Sequence, residues 1–344
     1  MFASLASGVW GAERSMFTLA RELRESGHRI HLICTDQTLA DEWLRATGES
    51  ASVVSASRPS RGRLSLVRSY WSHLANQTSK RDVVVLFSYA LAAGAILPLR
   101  WRAGRPRVVL DLHDTLTAGF GRRALAVSAF RLDRVIAVSE FTLRQLRVRR
   151  SIGRVLTRPV AKLDAQPVEP SSIPLRVGIV GRVNSDKAPH LVIQACVELD
   201  ACVTIRGDID NDSETYAADV RALGERVLGE RFRMEGPTPW SRALDDIDAL
   251  VVANAREPMG RTVLEAQLRG IMAVVPDSGG AAELVEHLVT GVKYRAGDAS
   301  SLAKALKMLT RDLRIRVTET ARARAIAVTD PKEYAARYAH AVFD

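Results

Sequence analysis

Along this chain, short runs of branched apolar residues alternate with stretches whose apolar positions recur every three or four residues. "RIHLICTD" (29–36), "SVVSA" (52–56), "DVVVLFS" (82–88), "RVVLDLHD" (107–114) and "RVIAVSE" (134–140) read as short buried strands. Helical patterns stand between most of them, as from Arg14 to Ser26. A second series follows: "LRVGIVGRV" (175–183), "ACVTIRGD" (201–208), "RFRMEG" (231–236), "DALVVAN" (248–254) and "MAVVPD" (272–277). Strands alternating with helices predict parallel sheets covered on both faces. Between the two series, "PVAKLDAQPVEPSSIP" (159–174) holds four prolines and no apolar period, which marks a linker. The expected architecture is therefore α/β, with two doubly wound parallel-sheet domains in tandem. They cover residues 1–165 and 175–328, with a linker at 166–174 and a last helix, 329–344, returning to the first domain. A length of 344 residues agrees with two such domains.

One stretch departs from the alternation. Residues 83–99 are 17 consecutive uncharged residues, close to the shortest membrane span. Branched residues crowd its first part and helix formers its second, so it reads as a buried strand, Val83 to Phe87, then a helix from about Ala90 that Pro98 ends. No basic segment followed by a long apolar run trails Met1, so no signal peptide is expected. Cys34, Cys196 and Cys202 form neither a disulfide framework nor a zinc pattern, which points to a reducing, cytosolic compartment.

Charge changes the picture more than composition does. The net charge is +10, yet residues 1–165 carry 26 Lys+Arg against 13 Asp+Glu, and the remainder carry 23 against 26. A basic half beside a near-neutral one suggests an anionic partner on one side.

Doubly wound sheets bind ligands at the carboxyl ends of their strands, so polar residues just past strand ends carry the candidate chemistry. In "AREPMGRTVLEAQLRG" (255–270), Glu257 follows a strand and Gly260 removes a Cβ from a ligand's approach. Arg261 follows, and from about Thr262 the pattern is helical, with amides that suit a phosphate and Glu265 about one turn in, suited to a vicinal diol. A capping acid followed by a surface glutamate would give the same letters. In "GIVGRVNSDKAP" (178–189), Gly181 ends a strand and Arg182 and Lys187 follow, two cations suited to a diphosphate or simply to solvent. "SGVWGAERS" (7–15) offers a weaker glycine turn with Gly11 before a helix, and "LDLHDT" (110–115) puts His113 and Asp114 at a strand end. In "PDSGGAAELV" (276–285), Glu283 reads equally as a cap or as a ligand group.

Taken in order across both halves, these segments resemble a family 4 glycosyltransferase of the GT-B fold. "GAERSMFTLARELRESGHRIHLICT", "DLHDT", "AVSE", "GIVGRVNSDKAP", "IRGD", "EPMGRTVLEAQLRG", "PDSGGAAELV" and "TGVKYRAGD" carry the likeness, which is weakest over 60–80 and 145–172. The resemblance implies two Rossmann-like domains facing across a cleft and a nucleoside diphosphate sugar as donor. It also implies a glycan or lipid-linked acceptor and transfer with retention of anomeric configuration. Glu257 and Glu265 fall on the family's paired glutamates, Arg182 and Lys187 on its phosphate-binding pair, and His113 on the histidine that approaches the donor sugar. Gly11 falls on the second glycine of the N-terminal loop. Gly181, Gly260, Arg261 and Thr262 complete the donor side. No metal or other cofactor is implied, and no carboxylate or histidine cluster has ligand spacing. Base recognition is expected from backbone groups near 206–208 and 236–240.

Three departures stand out. Trp10 replaces a common glycine, Ala188-Pro189 follows Lys187 where a glycine is usual, and "MFASLASG" leaves little room for a first strand. "RPSRGRLSLVRSYWSHL" (58–74) mixes Arg61, Arg63 and Arg68 with Tyr70 and Trp71, as an interfacial helix would. With Asp114 it is the candidate acceptor or membrane element, docking on anionic lipid at the cytoplasmic face. "RQLRVRRSIGRVLTR" (144–158) reads as a helix end and a strand. Glycosylation of a small natural product and a non-catalytic nucleotide-sugar-binding protein remain alternatives. A nucleic-acid partner has no motif to support it.

Overall fold

In the computed structural model, the structure describes residues 1–6, 9, 11–54, 62–96, 104–116, 123, 125, 127–146, 148–149, 151–160 and 174–343, with backbone alone at 62–65, 96, 211 and 240. The chain divides into two compact units, Met1–Pro159 with Asp330–Asp344, and Val160–Thr329.

The first unit holds seven parallel strands, β1 (Phe2–Ala3), β2 (Leu32–Cys34), β3 (Ala51–Val53), β4 (Val83–Leu86), β5 (Arg107–Leu112), β6 (Arg134–Ala137) and β7 (Gly153–Val155). Their order is β3-β2-β1-β4-β5-β6-β7. The second unit has six parallel strands: β8 (Leu175–Val180), β9 (Ala201–Arg206), β10 (Phe232–Glu235), β11 (Ala249–Val251), β12 (Met272–Pro276) and β13 (Val292–Tyr294). They run in the order β10-β9-β8-β11-β12-β13. In each sheet the chain moves outward from its first strand and then returns to that strand's other side. The reversal falls between β1 and β4 in one unit and between β8 and β11 in the other. Loops leaving two such neighbours diverge to opposite faces and open a crevice at the strands' carboxyl ends.

The apolar stretch at 83–99 is β4 followed by the helix Tyr89–Ala93 and a 3-10 turn, Gly94–Ile96. Among the described residues no helix is long and apolar enough to cross a membrane. The helix Gly62–Gln77 forms where the basic-aromatic segment lies, but its aromatics do not face outward. Val67, Tyr70, Trp71 and Leu74 recur at helical spacing and pack into the core with Leu86 and Leu91. Tyr70 is 0% and Trp71 2% exposed. The Tyr70 hydroxyl donates to the Ile33 carbonyl, and the Trp71 indole N–H donates to the Leu91 carbonyl at 2.9 Å. Trp71 is thus a core residue and supplies no membrane anchor, which corrects the sequence expectation. Arg68 is exposed on the same helix, whereas Arg61 and the side chain of Arg63 lie outside the described residues.

The last helix, Pro331–Phe343, packs on the first unit. Its Tyr334, Ala335, Tyr338, Ala341 and Val342 join Phe2, Met16, Trp43 and Ile136 in one buried cluster. Arg107 Nη1 donates to the Val342 carbonyl at 2.6 Å, which ties the helix end to the start of β5.

Candidate functional site

In the second unit the two loops at the chain reversal meet through side chains. Past β8 the chain turns at Gly181, and Asn184 accepts the Lys187 amide at 3.1 Å to close the 3-10 turn Ser185–Lys187. Ala188 then takes a left-handed conformation (φ 46°) before Pro189 opens the next helix, where a glycine would fit without strain. Past β11 the chain reaches Asn254 and Glu257. Lys187 Nζ donates to Glu257 Oε2 at 2.6 Å, and Asn254 Nδ2 donates to the same oxygen at 3.1 Å. Residues 70 positions apart therefore form one partly exposed pair at the reversal point. Sequence reading assigned these two side chains to different parts of a ligand and did not foresee that they touch.

A third loop holds Glu257 in place. The Gly280 amide donates to the Glu257 carbonyl at 2.6 Å and Ser278 Oγ to the Ala255 carbonyl at 3.0 Å. A Cβ on Gly280 would overlap the Pro258 carbonyl, a backbone atom that cannot rotate away. Gly280→Ala is therefore expected to cost about 1–3 kcal/mol by overpacking and to lower the melting temperature. An unchanged melting curve would refute the clamp.

Gly260 (φ 87°) begins the helix Arg261–Leu268 with no side-chain cap, and a Cβ there would lie 2.9 Å from Ala281 Cβ. Thr262 and Arg261 are part-exposed in its first turn. Glu265, expected to face a ligand, is 1% exposed. Arg261 Nε lies 3.5 Å from its Oε1, and its Oε2 is buried with no hydrogen-bond partner. Burial pushes the Glu265 carboxyl up to about 8, although Arg261 pulls the other way. A buried carboxylate oxygen with no donor is costly and asks for one. Arg182 stands apart from the Lys187–Glu257 pair in its contacts: more than half exposed, it donates to Asp210 Oδ2 at 3.2 Å.

The first unit carries a separate polar cluster around His113, which follows β5. Asp111, inside that strand, is 2% exposed and accepts from Arg158 Nη2 and, at 2.9 Å, from the Tyr338 hydroxyl of the last helix. Arg158 is 3% exposed, stacks 5.1 Å over the Phe87 ring and places Nη2 3.4 Å from His113 Nδ1. The same ring nitrogen lies 3.8 Å from Asp111 Oδ1, so His113 Nδ1 faces both members of the buried pair. Burial alone would push the Asp111 carboxyl up, but the Arg158 guanidinium, with His113 and Tyr338, outweighs it and holds the group below the usual carboxylate range. Burial likewise works against the Arg158 charge, and Asp111 keeps it protonated. Asp114 is 63% exposed, with Oδ2 3.5 Å from His113 Nε2. Gly11 begins the helix Gly11–Glu25, and Arg158 Nη1 donates to the neighbouring Ala12 carbonyl at 3.4 Å. Among the described residues no group of three His, Cys, Asp or Glu could hold a metal ion.

Asp111, Arg158, Tyr338, Asn254 and Asp210 were missed from sequence. Asp111 had a legible signal: an acid inside "VVLDL", where both strand faces are apolar, must find a cation.

Comparison with known proteins matches both units. A family model described as Glycosyltransferase Family 4 covers residues 9–157, and one described as Glycosyl transferases group 1 covers residues 166–324. The lipopolysaccharide core biosynthesis glycosyltransferase LpsE of Rhizobium meliloti (strain 1021) is 28% identical over 173 residues, 48% of either chain. The chain thus spans about half the length of that curated relative. Among solved structures, Anabaena HepE in complex with UDP superposes with a TM-score of 0.82 at 22% identity, covering 98% of both chains. The apo lipopolysaccharide outer core galactosyltransferase WaaB gives 0.80 at 17% identity over 99% of this chain and 98% of its own. With a glycosyltransferase model on each unit and this fold throughout, the chain belongs to the glycosyltransferases of the GT-B fold.

Proposed function

We propose that this glycosyltransferase belongs to the family 4, retaining branch and moves a sugar from a nucleoside diphosphate sugar to a glycan or lipid-linked acceptor. The assembly of a cell-surface polysaccharide or glycolipid on the cytoplasmic side is the proposed setting. The observation that carries the donor assignment is the buried, donorless Oε2 of Glu265, one turn into the helix that starts beside the Lys187–Glu257 pair. A ribose diol supplies the missing hydrogen bonds once donor binding uncovers this oxygen. Lys187, Arg182 and the opening amides of helix Arg261–Leu268 neutralise the diphosphate as the sugar leaves, a task for which no metal is proposed. Glu257 serves the sugar hydroxyls, and His113 is assigned a contact with the donor sugar. HepE has been solved with UDP and with UDP-glucose, and the LpsE match is to a lipopolysaccharide core enzyme, which supports a nucleotide-sugar donor and a surface-glycan product.

Thermal-shift screening with UDP-, GDP- and ADP-sugars tests the donor, and NMR of the product anomer tests retention. Stabilisation by none of the three would overturn the reading.

Glu265 adds a pH signature. The folded protein holds a proton that the unfolded chain releases near its ordinary value of 4.5, so this group's contribution to stability declines as pH rises from about 4.5 to about 8 and is level beyond. Diol donation favours the charged form. Donor binding near pH 7 is therefore expected to release a proton, measured by calorimetry in buffers of different ionisation enthalpy. Glu265→Gln should abolish the release.

A further inference from the structure

The first unit contains a cavity of about 300 Å³ with no part in the sites above, lined by Arg134, Arg154, Leu156, Arg337, His340 and Ala341. The fold builds it from two strands and a helix. Arg134 opens β6, and Arg154 lies in β7 opposite Ile136, so both share the sheet face that Ile136 and Leu156 present to the last helix. From that helix, Arg337, His340 and Ala341 project at spacings of three and four residues, one face of one turn. Three guanidinium groups and an imidazole thus converge over an apolar floor.

The two sheet arginines are held close together. Arg134 Nη1 and Arg154 Nη1 donate to the same carbonyl, that of Ser151, at 3.0 and 3.2 Å, so the two nitrogens are at most 6.2 Å apart. Among the described residues, neither Arg154 nor Arg337 forms an ion pair with a carboxylate. Arg154, Arg337 and His340 are exposed, so water screens much of their mutual repulsion, and an anion in the hollow is attracted by all of them at once. Guanidinium forks match phosphate oxygens geometrically, and the apolar floor strengthens the attraction.

We propose that this cavity is a binding site for a phosphate-bearing anion, separate from the donor site. Its volume lies at the lower end for small-molecule pockets, enough for a phosphoryl group with a small substituent. The same chemistry is offered by a soluble phosphorylated metabolite and by the headgroup of an anionic phospholipid. Arg134 comes from one strand, Arg154 and Leu156 from the basic segment 144–158, and the rest from a helix almost two hundred positions later, which explains why no linear motif announced them. Arg134 sits level with Val109 in the sheet, four residues before His113, or roughly 13 Å along the strand at about 3.3 Å per residue.

The test uses the full chain carrying Lys187→Ala, so that phosphate binding at the donor site is weakened. Inorganic phosphate and glycerol phosphate are titrated by calorimetry, and flotation compares phosphatidylglycerol vesicles with phosphatidylcholine vesicles. Arg154→Ser with Arg337→Ser removes two exposed side chains and leaves the buried core untouched. Binding in at least one arm is expected, falling at least about tenfold in the double variant. Soluble ligand alone would identify a metabolite site, and vesicles alone a headgroup site. Binding in neither arm, or equal binding by the double variant, would overturn the proposal.

Discussion

Replacing Lys187 with alanine is expected to lower the turnover of sugar transfer by about 10²–10³-fold, the cost of losing roughly 3–4 kcal/mol of preorganised charge stabilisation. Lys187 is held where that charge is needed before any donor arrives. Its amide is fixed by Asn184 and its ammonium by Glu257 at 2.6 Å. The part of the interaction present in the ground state holds the donor's phosphates and raises KM when lost, and the part that strengthens as the diphosphate departs lowers kcat. Lys187→Arg should not restore activity, because a rigid fork replaces a compact ammonium beside Glu257. Arg182→Ala should cost less, since its guanidinium is more than half exposed and paired with Asp210. Release of nucleoside diphosphate, followed on protein of unchanged melting temperature, measures both. A kcat within about threefold of the parent for Lys187→Ala would remove the central element of the proposed site.

Asp111→Asn is expected to destabilise the first unit by about 3–5 kcal/mol, since it leaves the Arg158 charge buried and uncompensated. At roughly 2–4 °C per kcal/mol for a unit of this size, the melting temperature should fall by about 10 °C. The pH dependence has a definite sign. Because the Asp111 carboxyl is held below its ordinary range, its stabilisation is complete at neutral pH and is lost as pH falls through that range toward the folded value. Tyr338→Phe removes one charged hydrogen bond, that to Asp111 Oδ2, and should cost about 1.5–3 kcal/mol. Denaturant titration of the full chain measures both. A loss below about 1 kcal/mol for Asp111→Asn would show that the pair is not desolvated as described.

The sheets were legible because buried parallel strands are written as branched apolar runs, as at Val83–Leu86 and Arg107–Leu112. β13, Val292–Tyr294, was not, since three residues between Gly291 and Arg295 carry too little pattern. The helix Gly62–Gln77 was legible as a helix, but not which of its sides faces inward. An arginine-flanked aromatic stripe is written the same way for a membrane and for a core, and only the surrounding strands decide. The candidate site divides along the same line. Strand-end positions such as Glu257 and Lys187 could be picked out because the fold exposes loops there, whereas their contact depends on which loops the sheet order brings together. Glu265 and Arg261 illustrate the converse: their spacing was plain, while the burial that shifts the carboxyl depends on packing from elsewhere in the unit.

The first unit is completed by the helix Pro331–Phe343, so its interior contains side chains that a ribosome adds only after the whole second unit. The second unit, Val160–Thr329, is contiguous and emerges whole before those residues do. The usual N-terminal-first order of domain folding is therefore closed to the first unit. The strands made first wait for Tyr334 and Tyr338, which are made only a few residues after the second unit ends. A stop placed before Tyr338 would leave the whole first unit in an unfinished state, however far upstream its other strands lie.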